Sequence, residues 1–335
     1  MYANALIYGA WQEWRIYMNK WQKVGLAVGM GTAVVATTHL INKLIFSKAT
    51  AHNYTNNKNR KIYSWKFGNV SYIEKGNGPA LLLVHDLNSY SSSYEWNSVI
   101  DTFAKDYTVY AIDLLGCGHS DKPNITYTAY MYTQLINDFI LNVIHKKVDI
   151  VATGDSAPIA VMSSYINSML YNNVILVNPE SIKKAMKNPN KRCNIRRFML
   201  NMPVFGTLIY NICMNKPNLS NIFGLDCFND GIIPIDVMNV YHENAHLSGS
   251  SAKYLFTSTQ CRYTTSSIAK ALSGSDLCIY IISGEEEDNF DVVEEYLAYN
   301  PAIETIDIKH SKHLPQIEEP EEFIRQVRLF TSESK

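Results

Sequence analysis

The stretch "VDIVATGDSAPIAVMSSYINSML", Val148 to Leu170, holds a complete strand–turn–helix unit. "VDIVATG" is short, apolar and β-branched, as a buried strand should be, and Gly154 closes it. "PIAVMSSYINSML" has helical spacing, and Pro158 falls in the first helical turn, where no intrahelical N–H bond is lost. A strand that turns straight into a helix is half of a parallel βαβ unit.

The same rhythm runs outward in both directions. Upstream lie "PALLLVHD" (79–86), "EWNSVIDTFAKD" (95–106), "YTVYAIDLL" (107–115) and "YMYTQLINDFILNVIHKK" (130–147), alternately strand and helix. A strand pair, "KIYSWKF" (61–67) and "NVSYIEKG" (69–76), precedes them, and "NNVILVNP" (172–179) follows. The rhythm breaks for about 90 residues, then resumes with "LCIYIISG" (277–284), a helix, "AIETIDIKH" (302–310) and the helix "PEEFIRQVRLF" (320–330). These patterns predict an α/β fold: a mostly parallel sheet covered by helices on both faces. The core spans residues 51–180 and 273–335. The interruption, 181–272, is helical in pattern and reads as an inserted lid rather than a loop. With 47% hydrophobic residues in 335, the chain can fill such a core.

In an open α/β sheet the chemistry sits at the carboxyl ends of the strands. Ser156 follows one strand, the acidic run Glu285 to Asp288 follows another, and His313 follows a third. That order of nucleophile, acid and histidine, together with two longer motifs, resembles the α/β-hydrolase fold family over residues 61–335. "AIDLLGCGHSDKP" (111–123) is similar to the family's Asp-Leu-x-Gly-x-Gly-x-Ser-x-x-Pro loop, and "KHLPQIEEPEEF" (312–323) to the stretch around its catalytic histidine.

The resemblance implies a serine hydrolase acting on an ester, thioester or amide of a small apolar molecule, with no cofactor and no metal. Ser156 would attack, read from the Gly-x-Ser register. His313 would carry the proton, and Glu287 would hold the imidazole, with Asp288 the alternative acid. Leu87 and Ala157 would donate backbone N–H bonds to the oxyanion. Asn88, Tyr90, Tyr94 and Trp96, in the loop after His85, would line the pocket. Asp155 is the alternative nucleophile, which would place the chain with the haloalkane and epoxide hydrolase branches of the fold. A further alternative is a hydrolase-like protein that binds a ligand or partner at a membrane without turnover. The chain departs from the family at Asp86, where glycine is usual after the histidine. A carboxylate there opposes a developing oxyanion unless it is paired or turned away.

Residues 1–50 form a separate leader. The first 66 residues carry nine Lys or Arg against one acid, Glu13. Residues 24–41, "VGLAVGMGTAVVATTHLI", are long enough and apolar enough to cross a bilayer. Trp11, Trp14, Tyr17 and Trp21 sit among Arg15, Lys20 and Lys23, the mixture found at headgroup level, so residues 1–46 point to lipid rather than nucleic acid. Gly25, Gly29 and Ala33 make a small-residue stripe suited to helix–helix self-association. A cleaved signal is disfavoured, because "ATA" (49–51) lies too far beyond the apolar run. The basic residues that follow the span place the body on the cytoplasmic side. The six cysteines show no C-x-x-C pair and read as ordinary buried thiols of a reducing compartment.

Overall fold

The computed structural model describes residues 20–55, 59–186, 191–229 and 231–332. Trp11, Trp14, Arg15 and Tyr17 of the leader lie outside the described residues. Helix α1 (Lys20–Ala49) is followed by strands β1 (Arg60–Trp65), β2 (Gly68–Lys75) and β3 (Ala80–Val84). The core continues with α2 (Asn97–Phe103), β4 (Thr108–Ile112), α3 (Ala129–Phe139), β5 (Val148–Thr153), α4 (Ala157–Ile166) and β6 (Tyr171–Val177). Between β6 and β7, the described residues form seven α-helices: α5 (Ile182–Ala185), α6 (Lys191–Asn201), α7 (Phe205–Cys213), α8 (Lys216–Ile222), α9 (Ile235–His246), α10 (Lys253–Gln260) and α11 (Ala269–Ser273). The chain closes with β7 (Cys278–Gly284), α12 (Phe290–Tyr299), β8 (Glu304–Ile308), α13 (Pro315–Glu318) and α14 (Pro320–Ser332).

The eight strands form one sheet in the order β1-β2-β4-β3-β5-β6-β7-β8. β1 and β2 pair antiparallel, β2 joins β4 antiparallel, and every later pairing is parallel. The central strands show why. Along β3, Leu82 and Val84 belong to the core on one face of the sheet, while Leu81 and Leu83 belong to the other. β5 and β6 divide the same way, Ile150 and Leu176 to one face and Val151 and Val177 to the other. A strand that is apolar at both alternations must be covered on both sides. Burying each such side chain contributes about 1.5–3 kcal/mol.

The inserted helices have a small core of their own, built around Tyr210, Phe223, Phe228, Met238 and Tyr241. The tail of the insertion does not join it. Leu255, Ile268 and Leu272 pack with the main core. The insertion is thus a roof over the carboxyl ends of the strands, pinned to the sheet at its far end.

In α1, every residue from Lys20 to Thr37 is exposed, including Gly25, Gly29 and Ala33. Thr38, Asn42 and Ala49 are buried, with Ile45 and Phe46 half-buried, a stripe at helical spacing against the inserted helices. The helix is long and apolar enough to cross a membrane. The cysteines are free thiols, but the expectation that all are buried needs correcting: Cys278, at the start of β7, is exposed.

Candidate active site

A cavity of about 480 Å³ opens over the carboxyl ends of β3, β5, β7 and β8, under the inserted helices. Ile222, Phe223 and Tyr241 form an apolar roof, as expected for the lid. The floor is polar, with Asp86, Asp155, Glu180, Glu287 and His313 exposed to the cavity. A purely apolar substrate therefore does not match this floor.

Two of the expected groups meet. His313, after β8, places Nδ1 3.3 Å from Glu287 Oε1, after β7. Gly284, which ends β7, has the backbone of Ser311 and Lys312 pressed against its Cα, so no side chain could stand between the two loops. Asn178 holds the histidine loop from β6 by donating to the Lys312 and His313 carbonyls. Burial works against a charge on His313. The Glu287 hydrogen bond and the fields of Asp86, Glu287 and Glu95 outweigh it, and its pKa is raised to about 9. Asp288 also lies at the cavity wall, but the carboxylate on Nδ1 is that of Glu287.

The nucleophile side differs from expectation. β5 runs through Thr153, whose partner on β6 is Val177. The first residue off the strand is Gly154, at φ +56°, and it makes the sharp turn itself. Asp155 and Ser156 then start a helical turn that leads into α4. Ser156 is fully buried with ordinary helical angles, and its hydroxyl donates to the His85 carbonyl at 2.7 Å. It does not line the cavity. Ser156, the expected nucleophile, is thus not brought to the cavity or to His313 in this structure. The residue presented to His313 is Gly154: a Cβ built on it would stand 3.2 Å from His313 Nε2 and 2.7 Å from Asp86 Cγ. The turn needs small residues two positions either side, and Ala152 and Ser156 supply them. The signal in the sequence was Gly154 itself, free to take a positive φ at a strand end.

The space a nucleophile side chain would fill is taken by Asp86. Its Oδ1 accepts from Leu87 N and from Asp155 N, both at 2.8 Å. Its Oδ2 accepts from Asn88 Nδ2 at 2.5 Å. Leu87 N, expected as an oxyanion donor, here donates to the Asp86 carboxylate. The second backbone donor to that carboxylate is Asp155 N. Ala157 N, the other expected donor, is spent on the Gly154 carbonyl inside the turn. Asp86 was expected only to disturb the hole, yet its carboxylate occupies it.

The Asp86 loop is held from several directions. Leu114 N donates to His85 Nε2, so the ring proton sits on Nδ1 and reaches the Asp86 carbonyl at 2.6 Å. Asp86 N donates to Glu95 Oε2 at 2.9 Å. Glu95 is pushed up to about 8, first by burial and then by Asp86. Beneath the loop, Asp113 is buried against Arg60 at 2.7 Å and accepts from Ser93 N and His119 N. Gly118 stays glycine because a Cβ there would meet Asp113.

Asp155, the alternative nucleophile, lines the cavity. Burial, then Asp86 and Glu180, raise its carboxyl well above the ordinary range, with a hydrogen bond to Glu180. That shift disfavours the charged carboxylate, the form that a nucleophile needs. Of the residues expected to line the pocket, Asn88 and Tyr90 do. Trp96 is fully buried against Phe323 in the opposite core, and Tyr94 packs edge-on against Tyr241 outside the cavity. Tyr241, which its helical spacing suggested was a packing residue, also lines the cavity: it is 2% exposed, with a hydroxyl that has no hydrogen-bond partner among the described residues.

With this geometry in view, the relatives can be placed. Residues 81–326 match the model of the "Alpha/beta hydrolase family". The chain belongs to that family. Among its curated relatives are an uncharacterised protein of Mycobacterium tuberculosis, 34% identical over 32% of this chain and 31% of that protein, and the 2-hydroxy-6-oxo-6-(2'-aminophenyl)hexa-2,4-dienoic acid hydrolase of Metapseudomonas resinovorans, 31% identical over 36% of this chain and 44% of that protein. These matches span less than half of either relative. Among solved structures, a serine hydrolase involved in carbazole degradation superposes with TM-score 0.68 at 18% identity, covering 82% of this chain and 98% of that one. That likeness is one of fold.

Proposed function

We propose that this member of the family is a membrane-anchored hydrolase of a small electrophile, an epoxide or similarly activated alkyl carbon, in which Asp86 takes the place of the missing nucleophile. The observation that carries the reading is the Asp86 carboxylate lodged between Leu87 N and Asp155 N, opposite His313, over a glycine. An acyl substrate needs those two N–H groups for its own oxygen, and they are taken. An alkyl substrate does not need them at the first step. Oδ1, doubly hydrogen-bonded, is suited to become the ester carbonyl, and Oδ2 is suited to attack.

In the first step Asp86 Oδ2 bonds to the ring carbon and the carbon–oxygen ring bond breaks. The freed oxygen takes the proton of Tyr241, whose burial keeps that phenol protonated. Once the ester has formed, protonated His313 gives its proton to solvent; in the second step a water gives a proton to the now neutral His313 and its oxygen bonds to Asp86 Cγ. The oxyanion forms on Oδ1, already between its two donors. The alcohol then leaves with the proton from His313, and the proton left on the Asp86 carboxyl restores Tyr241. Water and epoxide become a diol. Esterification also removes one of the charges that hold His313 protonated, so the base is freed when it is needed. The anchor is α1, whose last turns are fixed to the inserted helices and so stay with the folded body.

Styrene oxide, incubated with His313→Ala protein, tests this. Peptide mass mapping should find the alkyl adduct on Asp86, trapped because the water cannot be activated, and wild type should turn over at least about 10²-fold faster. An adduct on Asp155, or fluorophosphonate labelling of wild-type Ser156, would refute it. No adduct and no turnover with any epoxide or alkyl halide would favour ligand binding without catalysis, a second reading that Gly154 itself supports.

A further inference from the structure

The geometry points to a second membrane contact, separate from the anchor: the face of the inserted helices formed by α6 and the start of α7 rests on an anionic bilayer surface. This inference rests on α1 being the anchor, and on nothing about catalysis.

The position of the bilayer follows from α1. Its free part, Lys20 to Thr37, has 18 residues, about 27 Å at 1.5 Å per residue, against a hydrocarbon thickness of about 30 Å. The helix meets the body at Thr38, and one turn later Asn42 is bolted to it. Asn42 Nδ2 donates to the Val204 carbonyl at 3.0 Å, and Asn211 Nδ2 donates to Asn42 Oδ1 at 2.9 Å. Phe46 packs on the His246 ring at 5.7 Å. If residues 20–37 fill the hydrocarbon, the turn between α6 and α7 lies within a turn of helix of the headgroups.

The surface at that turn has the matching composition. On α6, "KRCNIRRFMLN", Cys193 and Leu200 face inward. The opposite face presents Ile195 at 63% exposure, Phe198 at 70% and Met199, with Lys191 and Arg192 beside them and Arg196 at the edge. α7 adds exposed Phe205 and Ile212. A short helix with an aromatic and two long aliphatic side chains outward, flanked by cations, has the pattern of a helix lying in a headgroup layer. Its charge selects anionic lipid, and the turn that follows it is held to α1 by the Asn42–Val204 hydrogen bond.

The experiment uses the full chain carrying Phe198→Cys, one copy per nanodisc, and a water-soluble maleimide, with native exposed Cys278 as the internal reference. In phosphatidylcholine discs containing phosphatidylserine, modification at 198 relative to Cys278 should fall at least about ten-fold below its value in dodecyl maltoside. Adding Arg192→Glu and Arg196→Glu should restore it. The same ratio in discs and in detergent overturns the docking while the anchor stands, because the chain still travels with the discs. A chain that does not stay with the discs overturns both. Slowing in detergent that grows with protein concentration assigns the face to a second copy of the chain and likewise overturns the inference.

Discussion

The two sides of the cavity have been treated differently by the sequence. On one side, His313 and Glu287 keep the arrangement that lets an imidazole carry a proton, with the glycine at 284 that the close loop packing requires. On the other, the strand end that should present a nucleophile presents Gly154, and the hole that should receive an oxyanion holds Asp86. A family member that had merely decayed would have no reason to hold Asp86 with three donors or to keep the histidine paired. On the function proposed, the contrast is that of a site rebuilt around a carboxylate, with the paired histidine kept as proton carrier.

The strongest way to break that contrast is to reverse it. Asp86→Gly with Gly154→Ser should return a serine beside His313 Nε2 and empty the oxyanion position. Fluorophosphonate labelling should appear from none, and p-nitrophenyl ester hydrolysis should rise about 10³-fold over the same protein with His313→Ala. Gly154→Ser alone should not label, because its Cβ would collide with the Asp86 carboxylate. The positive φ at 154 costs a serine about 1–2 kcal/mol, so the double variant should melt a few degrees lower. Labelling by the single variant would show that Asp86 is not fixed in the hole.

How much of this was legible in the sequence divides along the same line. The sheet was readable because β3, β5 and β6 are apolar at both alternations, which only a covered parallel strand tolerates. His313 was readable because one histidine follows the last strand in an unbroken Leu-Pro-x-x-Glu-x-Pro context. The elbow was not. "ATGDSA" satisfies a Gly-x-Ser register and a small-x-Gly-x-small register equally well. What decides between them is the pairing of Thr153 with Val177, a tertiary fact that sets where the strand stops. Asp86 was visible as a departure, but whether its side chain turned away or into the hole depended on Leu87 and Asp155 N–H directions, which only the fold defines.

A second test sharpens the contrast by changing the charge on His313. With its pKa raised to about 9, His313 is protonated at pH 7 and is a base only above that value or once Asp86 is esterified. Turnover limited by the water step should therefore rise with pH and level off below about 9, at the lower pKa that His313 takes once Asp86 is esterified. Glu287→Gln removes the largest influence that raises the pKa, so the rising limb should move to lower pH while the plateau falls about 10- to 100-fold. The linkage to stability has the opposite sense. A raised histidine pKa favours the folded state below the unfolded value near 6.5, and that contribution fades as pH climbs through 9. Thermal melts should thus show wild type losing stability between pH 7 and 10, and Glu287→Gln losing less. A pH profile unmoved by Glu287→Gln would mean that the paired acid does not govern the base.

The smallest expected effect falls on the residue that the sequence favoured most. Ser156→Ala removes one buried hydroxyl bonded to the His85 carbonyl, and that carbonyl loses a partner in a site closed to water. The cost should be about 1–3 kcal/mol of stability, with turnover changed no more than a few-fold, since the hydroxyl faces away from the cavity. The discriminating quantity is the ratio of the two effects. A serine that acts would show a large loss of turnover with little change in melting temperature, and a serine that braces the His85–Asp86 strand end would show the reverse.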